Sequence, residues 1–251
     1  MGAGNVASAL CEEMFARGHN IVRIVSETEE RGLLLADSCN ALWSDKPDFT
    51  EKSDILIVAV PDNRLRNVLS KIKCGNRTVV VHTAGSFGLE VFPGKIKHPG
   101  VLYPLQTFTR GRSIDFKELN FLAETSDQFS FSILKNLTLS LGSKIMKSEA
   151  GNRKMLHLAA VFVCNFTNHM FTAGKEISSI AGFPFEILEP LITETYNKAV
   201  DKGPEISQTG PAVRYDIKTI KKHLKLLSFK PEYREMYMAI TSSIIEYYKK
   251  R

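Results

Sequence analysis

The sequence predicts an α/β domain with a largely parallel sheet, followed by an all-α domain. Three observations carry this. A glycine-rich turn opens the chain, apolar strand-like runs then alternate with helical segments, and from Glu149 onward the periodicity is helical. The boundary is placed at 147/148, with residues 1–147 in the first domain and 148–251 in the second.

The opening turn, Gly2-Ala3-Gly4-Asn5-Val6-Ala7, has the spacing Gly-x-Gly-x-x-Ala. Between a strand and a helix such a turn binds a dinucleotide. The first glycine allows the tight turn, the second lets the diphosphate approach, and the small third residue lets helix and strand pack closely. The helix N-terminus adds unpaired N–H groups and partial positive charge. Val6, Ala9, Leu10, Met14 and Phe15 recur at helical spacing, and Gly18 can end that helix. The feeding strand is missing, since only Met1 precedes Gly2. Without it a central sheet slot is left with unpaired backbone groups, and a start codon placed too late is the expected cause.

The succession that follows supports the turn. Residues 21–26 read as a strand, followed by Glu27 about 20 residues beyond Ala7, where an acceptor for a ribose 2′-OH belongs. Residues 54–61 and 78–83 are continuous apolar strands of a sheet buried on both faces. Between them Leu65, Val68, Leu69 and Ile72 mark an amphipathic helix over 63–73. Residues 101–108 form a further strand bent at Pro104, and strands at 121–124 and 144–146 flank a helix over 129–141 that Gly142 closes. In the second half one long helix is expected over 150–181, stopped by Gly182, then helices over 185–200, 211–227 and 232–249. Pro211 suits the first turn of the third and Thr209 its cap, and 204–211 is the longest loop.

Composition narrows the function. A chain of 251 residues with 43% apolar content can form two domains with a sizeable core. Cys11, Cys39, Cys74 and Cys164 are scattered in apolar contexts, so neither a metal site nor a disulfide framework is expected, and each reads as a small core residue. No signal peptide or membrane span is visible, which makes cytoplasmic the expected location. The net charge of +6 gathers late, at Lys218, Lys221, Lys222 and Lys225 and then Lys249, Lys250 and Arg251. Without interleaved aromatics this reads as a solvated helix face and tail, not a nucleic-acid surface.

Several stretches match one family in order. They are Gly2 to Ala7, Ala59-Val60-Pro61-Asp62, His82-Thr83-Ala84-Gly85-Ser86, Tyr103-Pro104-Leu105-Gln106-Thr107-Phe108, Asn165-Phe166-Thr167-Asn168-His169 and Gln208-Thr209-Gly210-Pro211-Ala212-Val213-Arg214. With them the chain resembles the Rossmann-like proteins that carry a C-terminal domain of unknown function (DUF 2520), over nearly its whole length. Such proteins are similar in layout to pyrroline-5-carboxylate reductase, ketopantoate reductase and the β-hydroxyacid dehydrogenases. The resemblance implies an NAD(P)-binding domain and a helical second domain through which a homodimer forms. It implies no substrate. Family members often carry Ser-Arg after the second strand, where Arg can hold a 2′-phosphate; here the pair is Ser26-Glu27. The family implies NADP(H), the local charge favours NAD(H), and Ser26, Thr28 and Arg31 stay open as phosphate donors.

Ligands of an open α/β sheet sit beyond the carboxyl ends of its strands. The cofactor-binding candidates are therefore Gly2, Gly4, Asn5, Val6, Ser26, Val60, Pro61 and Ser86. His82 either reaches the nicotinamide or is a satisfied structural histidine. His157, Asn165, Asn168, His169 and Thr172 interrupt an apolar helix surface, with Asn165 and His169 one turn apart. They form either a substrate wall or a hydrogen-bond network between helices. The β-hydroxyacid dehydrogenases place a Lys four residues before an Asn on this helix; Val161 stands there, which leaves His157 as the nearby proton carrier. His157, Asn165 and His82 are thus the catalytic candidates. Asn168, His169, Gln208 and Arg214 are the substrate-binding ones, with Arg214 gripping a carboxylate or paired to Asp216 or Glu194. The expected function is an NAD(P)-dependent oxidoreductase for a small carbonyl, imine or hydroxy acid. The alternative is an NAD(P)-binding sensor without turnover, which the missing lysine and strand favour.

Overall fold

The computed structural model describes residues 1–50 and 53–249, so Lys250 and Arg251 of the basic tail lie outside the described residues. Contacts divide the chain into two compact units, residues 1–164 and 165–251. The first runs α1 (Asn5–Ala16), β1 (Arg23–Val25), α2 (Glu29–Ser38), β2 (Leu42–Ser44), β3 (Asp48–Phe49), β4 (Ile55–Val58), α3 (Asp62–Lys71), β5 (Lys73–Cys74), β6 (Val79–His82), β7 (His98–Pro104), β8 (Asn120–Thr125), α4 (Gln128–Ser140), β9 (Lys144–Lys147) and α5 (Ala150–Ala160). Strands alternate with helices as the sequence predicts, and a helical unit follows. The contact division falls later than 147/148 because a buried arginine of α5, Arg153, ties that helix to the sheet unit.

β4, β6 and β7 are parallel neighbours, with Val58 paired to His82 and His82 to Val101. β8 returns antiparallel to β7, and β9 runs parallel to β8. Alternation along β6 divides the core between the two sheet faces. Val79 and Val81 join Leu10, Leu102, Phe121 and Leu134, whereas Val80 joins Leu56, Val58, Leu65 and Leu69. Each such fully buried side chain contributes about 1.5–3 kcal/mol.

β1 and β2 form a separate parallel pair, and the expected slot lies between that pair and β4. Gly2 N–H donates to Val25 O and Ala59 N–H to Met1 O, each at 2.8 Å. The first two residues thereby bridge the two pieces at their carboxyl ends. Beneath the bridge is a cavity of about 300 Å³ lined by Leu10 and Met14 of α1, Ile24 of β1, and Ile55 and Ile57 of β4. The enclosed Met1 ammonium donates to Ile57 O, and burial lowers its pKa.

The helix α2 has no counterpart in the sequence reading. Leu33 and Leu34 are exposed while Leu35 and Ala36 are buried, so apolar residues lie on opposite faces and blur the periodicity. Its placement depends on Gly32, where an added Cβ would stand 2.1 Å from Ser26 Oγ and 2.2 Å from Trp43 Nε1. α4 is capped by Asp127, whose carboxylate accepts from Ser130 N–H at 2.7 Å and from His98 Nδ1 at 3.0 Å. Burial opposes ionisation here, but these donors with the Ser126 and Ser130 hydroxyls outweigh it and hold the carboxyl well below the usual carboxylate range. A depressed folded-state pKa stabilises above the unfolded value and is lost as pH falls through the folded one. Asp127→Ala is therefore expected to destabilise by about 1 kcal/mol at neutral pH. In urea titrations the gap to the native protein should close below about pH 4.

The long helix expected over 150–181 is interrupted. α5 passes into a π-helical stretch, Val161–Phe166, before α6 (Thr167–Ile180) resumes, and Gly182 at φ +81° ends it. A wider turn takes up extra residues, so α-helical spacing does not carry through it. Cys164 lies in this stretch and is exposed, unlike the partly or fully buried Cys11, Cys39 and Cys74, which corrects its reading as a core residue.

In the second unit α6 is followed by the 3-10 turn Phe185–Leu188, α7 (Glu189–Lys202), α8 (Pro204–Ser207), α9 (Ile217–Leu226) and α10 (Pro231–Lys249). The third expected helix starts six residues later than Pro211. Tyr215 takes φ +54°, and Asp216 caps α9 by accepting from Thr219 N–H at 3.0 Å. Lys218, Lys221, Lys222 and Lys225 form an exposed face of α9. Among the described residues no helix is long and apolar enough to cross a membrane.

Candidate functional site

The first unit gathers most of the predicted cofactor residues at the carboxyl ends of its strands. Gly2 adopts φ +105°, and a Cβ there would lie 2.1 Å from Ala59 O. Only a glycine lets the chain pass so close to the end of β4. Gly4 is the extended N-cap of α1, no side chain caps the helix, and an added Cβ on Gly4 meets nothing within 4 Å. The first-turn amides of Asn5, Val6 and Ala7 lack intrahelical partners by construction. That is the cradle a diphosphate requires, so the residues present fit a dinucleotide. The Asn5 side chain braces it, donating through Nδ2 to Phe108 O at 3.0 Å.

Beside the cradle, Val60 and Pro61 lead from β4 into α3, whose first residue Asp62 accepts a hydrogen bond from Ser86 Oγ. Ser26 is buried. Its hydroxyl donates to Thr28 O at 2.8 Å and accepts from Trp43 Nε1 at 3.1 Å, so it holds the loop after β1 and is committed within the protein. Thr28 and Arg31 are exposed there, as are Glu27 and Arg64, which form an ion pair.

His82 is fully buried at the end of β6. Its Nδ1 accepts from Ala84 N–H at 3.2 Å, its Nε2 lies 3.2 Å from Gly88 O, and its ring stacks on Phe92. Desolvation lowers its pKa to about 4 against the opposing hydrogen bond to Gly88. With both nitrogens engaged and no exposed surface, the ring staples the 83–88 loop, and the expectation that it reaches the nicotinamide gives way to this structural role.

His157 is half-buried on α5. Its Nδ1 stands 3.0 Å from Tyr103 Oη near the end of β7, and the two rings meet edge to face at 5.7 Å. Gly85 lies against both, since a Cβ there would be 3.0 Å from His157 Nδ1 and 3.1 Å from Tyr103 Cε2. Arg153, one turn before His157, is fully buried. It donates to Glu124 Oε2 at 2.8 Å and to Phe87 O at 2.6 Å, which pins α5 to the same loop. Burial leads the causes that raise the Tyr103 pKa, and the neighbouring Cys164 and Asp62 act in the same direction, so the phenol keeps its proton at neutral pH.

The remaining predicted residues belong to the second unit. Asn165 ends the π-helical stretch with Phe166, and Asn168 and His169 are exposed on α6. The His169 ring meets Tyr233 edge-on at 6.4 Å. Gln208 donates to Thr209 O at 3.0 Å. Arg214 is exposed and forms no ion pair with Asp216 or Glu194. Among the described residues no cluster of three or more His, Cys, Asp or Glu is placed to hold a metal.

Sequence reasoning missed Tyr103, Arg153 and Arg64 as site residues. Tyr103 sits inside a family stretch, which was a signal. Arg153 and Arg64 gave none, because their partners are distant in sequence.

Residues 120–244 match the family described as a domain of unknown function, DUF2520, and residues 1–85 match that described as NADP oxidoreductase, coenzyme F420-dependent. No curated protein gives a significant match. Among solved structures, a candidate NADP oxidoreductase from Bacteroides fragilis is 36% identical, with 98% of this chain and 96% of that one covered and a TM-score of 0.88. A Thermotoga maritima protein is 21% identical over 99% and 97% of the two chains at 0.69. A reductive aminase from Aspergillus terreus, solved with NADPH and ethyl-5-oxohexanoate, is 13% identical over 99% and 92% at 0.73; at such identity the likeness shows the fold alone. The glycine turn, the sheet order and this full-length relative together place the chain in the family of Rossmann-like proteins that carry a C-terminal DUF2520 domain.

Proposed function

We propose that the protein is an NAD(P)(H)-dependent oxidoreductase acting on a small carbonyl, imine or hydroxy acid, with its proton chemistry at His157. One observation carries this reading. An uncapped helix N-terminus under an open glycine turn shares a unit with a half-buried Tyr–His pair at the carboxyl end of adjacent parallel strands. A bound nicotinamide supplies or accepts hydride, and the chain's residues supply position and protons. Asn5 and Val6 offer amides to the diphosphate, Val60 and Pro61 border the ribose, and His157 moves the proton. Substrate recognition is assigned on chemical grounds to Asn165, Asn168, His169, Gln208 and Arg214. Arg214, exposed and unpaired with its acidic neighbours, suits a carboxylate. The test is loss of reduced-nicotinamide absorbance with a panel of 2-oxo acids, ketones, aldehydes and cyclic imines. Binding without oxidation of any of them favours a sensor instead.

The family description and the Bacteroides fragilis relative support NADP(H). Glu27 opposes a 2′-phosphate, while Arg64 beside it is a cation suited to receive one. Glu27→Gln frees Arg64 and is expected to shift the NADPH-to-NADH affinity ratio by roughly tenfold toward NADPH. Fluorescence titration with both cofactors reads this directly, and an unchanged ratio removes Glu27 from cofactor choice.

A homodimer through the second unit is part of the same reading. Leu191, Tyr196 and Val200 of α7 and Ile180 of α6 are each more than half exposed. Light scattering should give the mass of two chains. The free cysteines suit a reducing cytoplasm, and the lysines of α9 read as a solvated face with no nucleic-acid partner.

A further inference from the structure

We propose that Tyr103 is the group that delivers the proton to the substrate, that His157 recharges it, and that the substrate is therefore a neutral acceptor, a carbonyl compound or an unprotonated imine, rather than a preformed iminium. The inference rests on the reductase reading above and names the substrate class for that site.

Three features of the first unit converge on Tyr103. The first is position. It lies on β7 two residues beyond Val101, which pairs with His82 at the end of β6. It thus stands at the carboxyl edge of the parallel strands, where ligands of an open α/β sheet sit. A dinucleotide held by the amides after Gly4 would lie along the carboxyl ends of these same strands. The second is partnership. Tyr103 Oη and His157 Nδ1 are 3.0 Å apart, and the backbone of Gly85 closes over both rings. A side chain larger than hydrogen at Gly85 would push the pair apart. The third is environment. The phenol is half-buried, and besides His157 the titratable groups acting on it are Cys164 of the π-helical stretch and Asp62 of α3, both of which favour its neutral form.

A neutral phenol is a donor for a strongly basic oxygen. When hydride from the reduced nicotinamide forms the new C–H bond, the C=O π bond breaks and its electron pair goes to oxygen. That oxygen takes the Tyr103 proton. The phenolate left behind takes a proton from His157 Nδ1 while Nε2 takes one from solvent, so charge and protons balance. An iminium accepting hydride becomes a neutral amine without any proton. A half-buried phenol with its own proton relay therefore has no work to do on an iminium; it serves an acceptor that must be protonated as it is reduced, a carbonyl oxygen or the nitrogen of a neutral imine.

Tyr103→Phe keeps the ring and removes the oxygen, and His157→Asn removes the relay. Both are assayed in the full chain for NADPH binding by fluorescence, for the His157 ring nitrogen shifts by NMR, and for turnover of a ketone and 2-oxo-acid panel beside a cyclic iminium panel. Tyr103→Phe is expected to bind NADPH within about twofold of the native protein, to move the His157 Nδ1 resonance, and to lower kcat on carbonyls by roughly 100-fold or more with KM little changed. His157→Asn should lose less, because a phenolate can still draw slowly on water. Native protein that reduces carbonyls while Tyr103→Phe does so equally well overturns the proposal and leaves the reductase reading intact. The proposal also falls, with that reading again intact, if His157→Asn is the more damaged variant or if only iminium compounds turn over. Native protein that binds NADPH and reduces nothing in either panel overturns both.

Discussion

Gly2→Ala is expected to lower dinucleotide affinity by at least ~100-fold, an effect of about 3 kcal/mol or more. The residue sits at φ +105°, in the left-handed region where a Cβ is penalised, and the new methyl would stand 2.1 Å from Ala59 O and 2.9 Å from Ala59 C. Both are backbone atoms at the end of β4 and cannot rotate away. The chain must shift at Gly2, whose N–H is already bonded to Val25 O, and the preceding Met1 carbonyl is held by Ala59 N–H. Gly4 and the first turn of α1 follow two residues later, so the shift moves the amides out of the cradle. Gly4→Ala is the informative contrast. Its Cβ meets no protein atom within 4 Å, so the protein folds unchanged and any loss of affinity comes from the space the ligand needs. Titration of both variants with NADPH and NADH, beside their urea midpoints, separates the two effects. Equal affinity for Gly2→Ala and the native chain would mean the diphosphate is held elsewhere.

The second large effect is at Arg153. Replacing it by Met, which keeps the apolar volume, is expected to destabilise the protein by about 3 kcal/mol. Arg153 is fully buried, with its Nε unsatisfied, so its stability depends on the bonds from Nη2 to Glu124 and Phe87 O and from Nη1 to Ser148 Oγ. Met leaves the Phe87 carbonyl and the Glu124 carboxylate without that donor. A double variant, Arg153→Met with Glu124→Leu, should recover part of the loss, since removing both partners spares the stranded charge. The readout is the urea midpoint at unchanged slope. Function should suffer separately. Arg153 anchors α5 to the loop beside Gly85, so Arg153→Met should depress turnover while NADPH binding in the sheet unit persists. A variant with native stability would show that the buried guanidinium contributes nothing net.

What could be read in advance follows the range of the interactions. The strands 54–61 and 78–83 were legible because a sheet buried on both faces needs unbroken apolar runs, and β4 and β6 lie within them. The slot beside β4 was legible because a glycine turn implies a strand before it. α2 was not, because its leucines divide between faces and its position depends on Gly32 packing against Trp43. The start of α9 was misplaced because Pro211 is as good a local start as Asp216; the choice was made by Tyr215 entering the left-handed region. The π-helical stretch leaves no mark in a pattern read at α-helical spacing. In the site, the glycine turn is a local feature of the sequence, whereas the Tyr103–His157 and Arg153–Phe87 contacts join residues 54 and 66 positions apart. His82 was visible as a polar residue in an apolar strand, but only its two backbone partners reveal it as a staple.

The most direct measurement is equilibrium titration of the purified chain with NADPH and with NADH, followed by nicotinamide fluorescence. Saturable binding of at least one of them is expected, with a dissociation constant on the order of micromolar, competed by the adenosine diphosphate portion and abolished by Gly2→Ala. Failure of both cofactors to bind, with the chain folded, would contradict the assignment of a dinucleotide to the glycine turn.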